Sequence, residues 1–220
     1  MIDISAQGIL FDLDGTLVNT VACVEKWWRK IAAKHNVDGV ELLNNIHGHP
    51  TYDVLCKWFP KEMHSKDCAQ QLEEAVMRDP EGVFAVPGTH ELLQALANDK
   101  WAIVTAATPI LATTRLRQAN LPVPDKLVSA NDVQKGKPHP SCYQMGAEML
   151  GIAPSSAIVF EDSVNGVKAG VAAGAITVGI LTSTTEQKLR AAGAQYVIRD
   201  FTSIQIKHNG DGTLHVRFSE

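Results

Sequence analysis

The stretch GILFDLDGTL, residues 8–17, decides the fold prediction for this chain. Its apolar residues 9–11 form a run that is short enough for a buried strand. Two carboxylates, Asp12 and Asp14, follow this run, and a glycine comes next. A strand that delivers two acids to its carboxyl end, beside a residue with free dihedral angles, indicates the floor of a site. The alternative is a strand that leads into an acidic surface turn, because Asp-Gly pairs are common in turns.

Short apolar runs alternate with helical patterns after residue 87. Strands are predicted at residues 101–105, 127–129, 157–160, 176–180 and 196–198, and Thr89 and Thr108 are candidate N-caps of the helices between them. Apolar strands that alternate with helices are typical of a parallel sheet covered on both faces, so we predict an α/β fold with a Rossmann-like core. Residues 204–208 and 213–217 alternate with period two around the turn NGDG, which predicts a C-terminal β-hairpin.

The sequence between the opening motif and residue 87 shows helical patterns instead. Helices are predicted at residues 18–35, from Asp38, from Pro50 to Pro60, and at residues 65–78. We therefore predict a helical cap domain, residues 17-86, inserted directly after the first strand. Residues 1-16 and 87-220 would form the core domain.

The composition is that of an ordinary globular protein, with 45% hydrophobic and 20% charged residues and a net charge of -4. Acidic and basic residues are mixed along the chain, which argues against nucleic acid and anionic membranes as partners. The four cysteines form no Cys-x-x-Cys pair, so neither a zinc site nor a redox motif is predicted. Because no signal-peptide pattern or membrane-length apolar run is visible, we expect a cytoplasmic protein. A monomer is favoured over an oligomer.

Reactive side chains follow the ends of several predicted strands. They are Asp12 and Asp14, Thr105, Lys137 in the loop before a helix, and Glu161 with Asp162. Ligands of open α/β sheets bind outside the carboxyl ends of the strands, so these groups should meet at one place. Crowded carboxylates disfavour one another's ionised forms, and Mg²⁺ relieves that repulsion in a site that also holds a phosphate oxygen. The set is typical of phosphoryl transfer with an aspartate nucleophile.

These motifs resemble those of the haloacid dehalogenase-like hydrolase superfamily, in the family's order and over nearly the whole chain. The matching segments are FDLDGT at residues 11–16, Val104 with Thr105, GKP at residues 136–138, and FED at residues 160–162 with Gly166. Four motifs together are far more specific than any one of them.

The resemblance implies a role for each matching residue. Asp12 would be the nucleophile that becomes an aspartyl phosphate, and Asp14 would be the general acid and then the general base. Thr105 and the amide of Ala106 would hold phosphate oxygens. Lys137 would neutralise the phosphate and steady Asp12.

The resemblance also implies Mg²⁺ as the cofactor. Asp12, the backbone carbonyl of Asp14 and the carboxylate of Asp162 would bind the ion. Glu161 would ligate it directly or through water.

Three departures from related patterns narrow the expected activity. Dehalogenases lack an acid at the position of Asp14, which favours a phosphotransferase. Phosphonate-cleaving relatives use a lysine, and hexose-phosphate mutases an arginine, within the segment that reads IHGHPTYD at residues 46–53, and neither is present. This segment and residues 129–140 look more like those of glycerol-phosphate and 2-deoxyglucose-6-phosphate phosphatases. The resemblance therefore implies a phosphoric monoester hydrolase whose partner is a small phosphorylated sugar or polyol.

The cap residues His47 and Gly48 have two interpretations. A histidine beside a glycine in the cap can face the core motif and line the substrate pocket, or the segment only separates two helices. Two other functions also stay open, a phosphosugar mutase of the same superfamily and a non-catalytic binding protein. The presence of both Asp12 and Asp14 favours an enzyme, because a binder needs no acid at Asp14.

Overall fold

A computed structural model describes residues 1–96 and 100–220 of the chain. The helices are α1 (Val21–Lys34), α2 (Gly39–Leu43), α3 (Thr51–Trp58), α4 (Lys66–Met77), α5 (Thr89–Ala95), α6 (Pro109–Gln118), α7 (Ser141–Met149), α8 (Val164–Ala172) and α9 (Glu186–Ala192). The strands are β1 (Ile2–Ala6), β2 (Gly8–Phe11), β3 (Val18–Asn19), β4 (Phe84–Ala85), β5 (Trp101–Val104), β6 (Leu127–Val128), β7 (Ala157–Glu161), β8 (Ile176–Ile180), β9 (Tyr196–Ile198), β10 (Gln205–His208) and β11 (Leu214–Phe218). Short 3-10 helices cover Lys61–Met63, Pro154–Ser156 and Phe201–Ser203.

Six parallel strands form the central sheet in the order β6-β5-β2-β7-β8-β9. In β2, Phe11 lies beside Ile103 of β5 and Phe160 of β7. The rings of Phe11 and Phe160 stack with their centroids 5.4 Å apart. Burial of these side chains sets the register, because a slip by one residue would turn them to the other face. The residues that follow Phe11 and Phe160 therefore leave the sheet side by side, at its carboxyl edge.

Both faces of the sheet are covered, as predicted. Successive side chains of a strand point to opposite faces, and Ile9 and Phe11 accordingly belong to one buried apolar cluster while Leu10 belongs to another. The α/β fold with a parallel core is thus confirmed. Within the described residues, no helix combines the length and the apolar character that crossing a membrane requires.

The predicted C-terminal hairpin is β10 and β11, and it has a third strand that the sequence analysis did not predict. β1 pairs antiparallel with β11, from Ile2 opposite Phe218 to Ala6 opposite Leu214. The strand with the opening motif, β2, is therefore the second strand of the chain and the first of the parallel sheet. The helical insertion follows β2, and so its predicted place after the first core strand is retained.

The helices α1 to α4 share an apolar cluster of their own. Its buried members are Trp28, Ile31, Ala32, Leu42, Leu43, Ile46, Val54, Leu55, Phe59 and Ala69. The two connections to the core meet at the antiparallel pair of β3 and β4, with Val18 opposite Ala85. The amide of Val86 also donates to the carbonyl of Leu17 at 3.0 Å. The segment thus leaves and re-enters the core at one point, as an inserted cap requires, and the domain division itself stays a prediction.

The structure confirms one of the two predicted threonine N-caps and contradicts the other. Thr108 is the N-cap of α6, and its hydroxyl accepts from the amide of Leu111 at 3.4 Å. The prediction for Thr89 is wrong, because Gly88 is the N-cap and Thr89 is the first residue of α5. The Thr89 hydroxyl instead donates to the carbonyl of Leu17 at 3.3 Å, where the chain leaves the core.

Candidate active site

The opening motif turns sharply against the end of β7. The amide of Asp12 donates to the carbonyl of Phe160 at 3.0 Å, so strand pairing continues to the first carboxylate. Gly15 has a φ of 91°, a left-handed value that favours glycine, and its amide donates to the carbonyl of Val18 at 2.7 Å. A side chain on Gly15 would collide with the carboxylate of Asp162. The motif glycine therefore allows the two acidic motifs to approach each other.

Lys137 links the acidic motifs of two neighbouring strands. Its ammonium donates to Oδ1 of Asp12 at 2.6 Å, to Oε1 of Glu161 at 2.6 Å and to the carbonyl of Val104 at 3.1 Å. All three donors of the group are thus used, and the residue is only 4% exposed. Burial lowers the pKa of Lys137, but the charges of Asp12 and Glu161 together raise it by more than burial lowers it. The pKa therefore lies above its ordinary value. The lysine remains charged inside the site.

Glu161 is fully buried and held from four directions. Its Oε1 accepts from Lys137 and from the hydroxyl of Tyr143 at 2.9 Å. Its Oε2 accepts from the amide of Ser163 at 3.0 Å and from the hydroxyl of Ser163 at 3.1 Å. A carboxylate offers about four lone-pair directions, and the protein occupies four here. This carboxylate is therefore fixed in orientation.

Three buried carboxylates form a cluster that can hold a divalent cation. Oxygen atoms of Asp12, Glu161 and Asp162 lie within 4.8 Å of one another. Burial raises the pKa of Asp12 to about 7, with Lys137 opposing the shift and Glu161 adding to it. Burial and the charges of Asp12 and Glu161 also raise the pKa of Asp162 well above its ordinary value. Hard oxygen donors that repel one another fit Mg²⁺, whose charge would favour their ionised forms.

Asp14 lies beside a buried arginine. Nε of Arg115, on α6, is 4.0 Å from Oδ1 of Asp14, and the arginine side chain is only 1% exposed. Its Nη1 donates to Oε1 of Gln118 at 3.2 Å and its Nη2 to the sulfur of Cys23 at 3.6 Å. Its Nε has no hydrogen-bond partner among the described residues. The arginine carries a donor that the described part of the protein leaves free.

Thr105 and Ala106 follow the end of β5 at the same edge of the sheet. The amide of Thr105 donates to the carbonyl of Val128 at 2.8 Å, and its hydroxyl accepts from the amide of Ala107 at 3.0 Å. A cavity of about 120 Å³ opens here between the core and the helices α1 to α4. Its lining includes Asp12, Asp14, Thr105 and Ala106. Four of the predicted core residues thus share one cavity.

The predicted cap residues line the same cavity. His47, Gly48 and His49 face it from the loop between α2 and α3. Gly48 has a φ of 79°, and a side chain there would meet the hydroxyl of Ser163. A hydrogen bond of 2.9 Å joins Nε2 of His49 and Nδ2 of Asn165. The segment therefore lies directly against the start of α8, beside the Glu161–Asp162 motif.

Burial governs the titration of these two histidines. It lowers the pKa of His47, although Glu25, 3.8 Å from Nε2 of His47, acts in the opposite direction. Burial also lowers the pKa of His49. The neutral imidazole, which both donates and accepts a hydrogen bond, is therefore the form that the site favours.

Two charged residues of the cavity were missed by sequence reasoning, Arg115 and Glu73. Glu73 lies on α4, is 6% exposed, and accepts from the hydroxyl of Thr108 at 2.6 Å. Burial raises the pKa of Glu73. A signal for both was present, because Arg115 follows the buried Ala112 by three residues and Glu73 follows the buried Ala69 by four. That spacing places a charge on the buried face of each helix.

Comparisons with known proteins agree on one family. The model of the haloacid dehalogenase-like hydrolases matches residues 6–174. The chain is 35% identical to 2-deoxyglucose-6-phosphate phosphatase 2 of Saccharomyces cerevisiae, over 94% of this chain and 93% of the relative. It is 34% identical to hexitol phosphatase A of Escherichia coli, over 93% and 97%. A HAD family hydrolase from Deinococcus radiodurans, solved with bound phosphate and sodium, superposes with a TM-score of 0.65 at 29% identity, over 88% of this chain and 90% of that one.

Proposed function

The chain belongs to the haloacid dehalogenase-like hydrolase family, and from this premise we propose that it hydrolyses phosphomonoesters of small sugars or polyols with Mg²⁺, through an aspartyl phosphate. It is an enzyme of the phosphatase class, as its curated relatives are. The observation that carries the proposed mechanism is the placement of Asp12. Lys137 binds one oxygen of Asp12. Asp14, two positions later in the chain, lines the same cavity as Asp12.

In the proposed first step, Asp12 attacks the phosphorus of the substrate. Lys137 binds Oδ1, which leaves Oδ2 to form the new bond to phosphorus. The bond from phosphorus to the alcohol oxygen breaks, and Asp14 gives its proton to that oxygen. The products of this step are the free alcohol, an aspartyl phosphate at Asp12 and an ionised Asp14.

In the second step, Asp14 acts as the base. It accepts a proton from a water molecule, whose oxygen attacks the phosphorus of the aspartyl phosphate. The bond between phosphorus and Oδ2 of Asp12 breaks, so inorganic phosphate leaves and Asp12 regains its charge. Thr105 and the amide of Ala106 would hold the phosphate oxygens through both steps, and the charge of Lys137, whose three donors are already used, would neutralise the phosphate.

Asp12, Asp162 and the backbone carbonyl of Asp14 would hold Mg²⁺. The ion, when bound, would neutralise charge on the phosphate and on the clustered carboxylates. Glu161 is better suited to support this set than to join it. Its four accepted hydrogen bonds occupy its lone pairs, and it would have to release one of them to ligate the ion directly.

We assign residues 17-86 to a cap domain that closes over the leaving group. The pair of β3 and β4 supplies two adjacent connections about which such a cap can move. Closure would exclude water from the phosphate and bring His47 and Gly48 to the leaving group. The relatives named for 2-deoxyglucose 6-phosphate and hexitols support a small phosphorylated sugar or polyol as the partner.

The test is phosphate release by the purified protein from glycerol 1-phosphate, sorbitol 6-phosphate and 2-deoxyglucose 6-phosphate, with and without Mg²⁺. We expect inorganic phosphate and the free alcohol in equal amounts. An isomerised sugar phosphate without inorganic phosphate would instead identify a mutase. Binding of the esters without turnover would identify a binding protein.

A further inference from the structure

Two oppositely charged side chains in the cavity have no part in the proposed phosphoryl transfer. Arg115 reaches the cavity from α6 of the core, and Glu73 reaches it from α4 of the cap. We infer that this pair binds the hydroxyl groups of the leaving alcohol, so that the enzyme selects phosphomonoesters whose leaving alcohol is uncharged and polyhydroxylated. The inference rests on the proposed function and names residues that determine the substrate specificity of the enzyme.

Arg115 is a buried donor whose hydrogen bonds are incomplete. Its Nε has no partner among the described residues, and Oδ1 of Asp14, at 4.0 Å, lies beyond hydrogen-bond distance. The partners of its other nitrogens, Gln118 and Cys23, are uncharged side chains. Buried polar groups in native proteins are nearly always hydrogen-bonded, and a buried donor without an acceptor is costly. An oxygen of a bound molecule in the cavity would complete the set.

Glu73 supplies the complementary acceptor. Thr108 donates to Oε2 of Glu73 across the boundary between cap and core, which fixes the carboxylate at the cavity. A carboxylate has about four lone-pair directions, of which Thr108 takes one, and the hydroxyl of Thr51 also acts on Glu73 as a donor. The remaining directions can accept from hydroxyl groups. Because Thr108 is also the N-cap of the helix that carries Arg115, the two charges are held by a shared contact.

A hydroxyl group matches this pair because it donates and accepts. It can donate to Glu73 and accept from Arg115, and a polyol offers several hydroxyl groups to do both. An alkyl leaving group would supply neither side chain with a further hydrogen-bond partner on closure. A leaving group with a second negative charge would face the carboxylate of Glu73. The pair therefore favours neutral leaving groups with hydroxyl groups.

The experiment compares substrates that differ only in their hydroxyl groups. Glycerol 1-phosphate is paired with n-propyl phosphate, and sorbitol 6-phosphate with n-hexyl phosphate. kcat/KM is measured for the full chain and for the variants Glu73→Gln and Arg115→Met. Glu74→Gln on α4 and Arg117→Met on α6 are the matched controls, since Glu74 is 42% exposed and Arg117 is exposed.

We expect Glu73→Gln and Arg115→Met to lower the ratio of kcat/KM for the hydroxylated ester to kcat/KM for the alkyl ester by about tenfold or more. Arg115→Met removes a buried donor, and Glu73→Gln removes the charge and replaces one acceptor oxygen with an amide donor. The control variants should keep the wild-type ratio. Glu73→Gln is nearly isosteric, so it tests the inference even where Arg115→Met lowers the yield of folded protein.

Equal losses on both members of a pair would overturn the inference, because they indicate a role in the fold or in the common phosphate step. Wild-type turnover of the alkyl esters as fast as of the hydroxylated esters would also overturn it, while the phosphatase reaction would stand. Phosphate release from none of the four esters would refute the proposed function itself.

Discussion

The ammonium of Lys137 lies 2.6 Å from Oδ1 of Asp12 and 2.6 Å from Oε1 of Glu161, so a single buried cation joins carboxylates that leave two adjacent strands. The three residues are separated by up to 149 positions in the chain. The contact therefore ties the loop before α7 to the ends of β2 and β7. It also occupies Oδ1 of Asp12, and the proposed mechanism uses the other oxygen as the nucleophile.

Substitution Lys137→Met should destabilise the fold and remove activity together. It would leave two carboxylates buried without their cation, and breaking a buried ion pair in this way typically costs about 3–5 kcal/mol. Urea unfolding and phosphate release measure the two effects. Lys135→Met, at an exposed position of the same loop, is the control. A Lys137→Met protein as stable as the Lys135→Met protein would contradict the structural part of this prediction.

Substitution Asp12→Asn should abolish turnover while the fold survives. The amide keeps the shape and can still accept from Lys137, but it lacks the charge that attacks phosphorus. A fall in kcat of about 10³-fold or more is expected for a lost nucleophile. Asp125→Asn, on an exposed loop, should retain wild-type rates. Phosphate release by Asp12→Asn near the wild-type rate would exclude Asp12 as the nucleophile.

Removal of divalent metal should stop the reaction reversibly. Asp12 and Asp162 are proposed to share one cation, so a chelator should abolish phosphate release and excess Mg²⁺ should restore it. Ca²⁺ should substitute poorly, because its looser and higher coordination would displace the phosphate from Asp12. In the Asp162→Asn variant, half-maximal activity should need more Mg²⁺. Full activity in excess chelator, with no metal found by elemental analysis, would refute the metal site.

Local patterns were sufficient to predict the core of the site. The apolar run before Asp12, the run before Glu161 and the parallel alternation after residue 87 predicted which strands end together, and the structure brings these residues to one edge. The family followed from four motifs and is confirmed by the match over residues 6–174. These features are encoded within a few residues of each motif.

Features that depend on distant partners could not be predicted in the same way. The strand β1 pairs with β11, which lies more than 200 residues away in the chain. The local sequence pattern of neither strand indicates the strand with which it pairs. Arg115 and Glu73 lie on the buried faces of two helices, but only the approach of the cap to the core shows that those faces border a cavity. The helical pattern alone cannot tell a cavity from a packed core.

The position of the cap residues leads to a prediction about substrate specificity. His47 lines the cavity with Asp12 and Asp14, and the neighbouring Gly48 and His49 contact Ser163 and Asn165 of the core. In the proposed mechanism, the core supplies phosphate chemistry that any phosphomonoester can use. Discrimination between leaving groups is therefore expected from the residues that surround the leaving group, and His47 is the cap residue proposed for this role.

Substitution His47→Ala should reduce kcat/KM for the best sugar phosphate much more than for p-nitrophenyl phosphate. Loss of a buried hydrogen-bonding group that a substrate hydroxyl needs is worth about 1–3 kcal/mol, which corresponds to roughly 5- to 150-fold. The aryl group makes no such hydrogen bond, so its rate should change little. Both substrates are measured on one preparation, with His90→Ala, at an exposed position of α5, as the control. Equal losses on the two substrates would show that His47 serves the fold or the common phosphate step. A residue that acts only by binding the sugar hydroxyl groups should not affect the hydrolysis of an ester without a sugar.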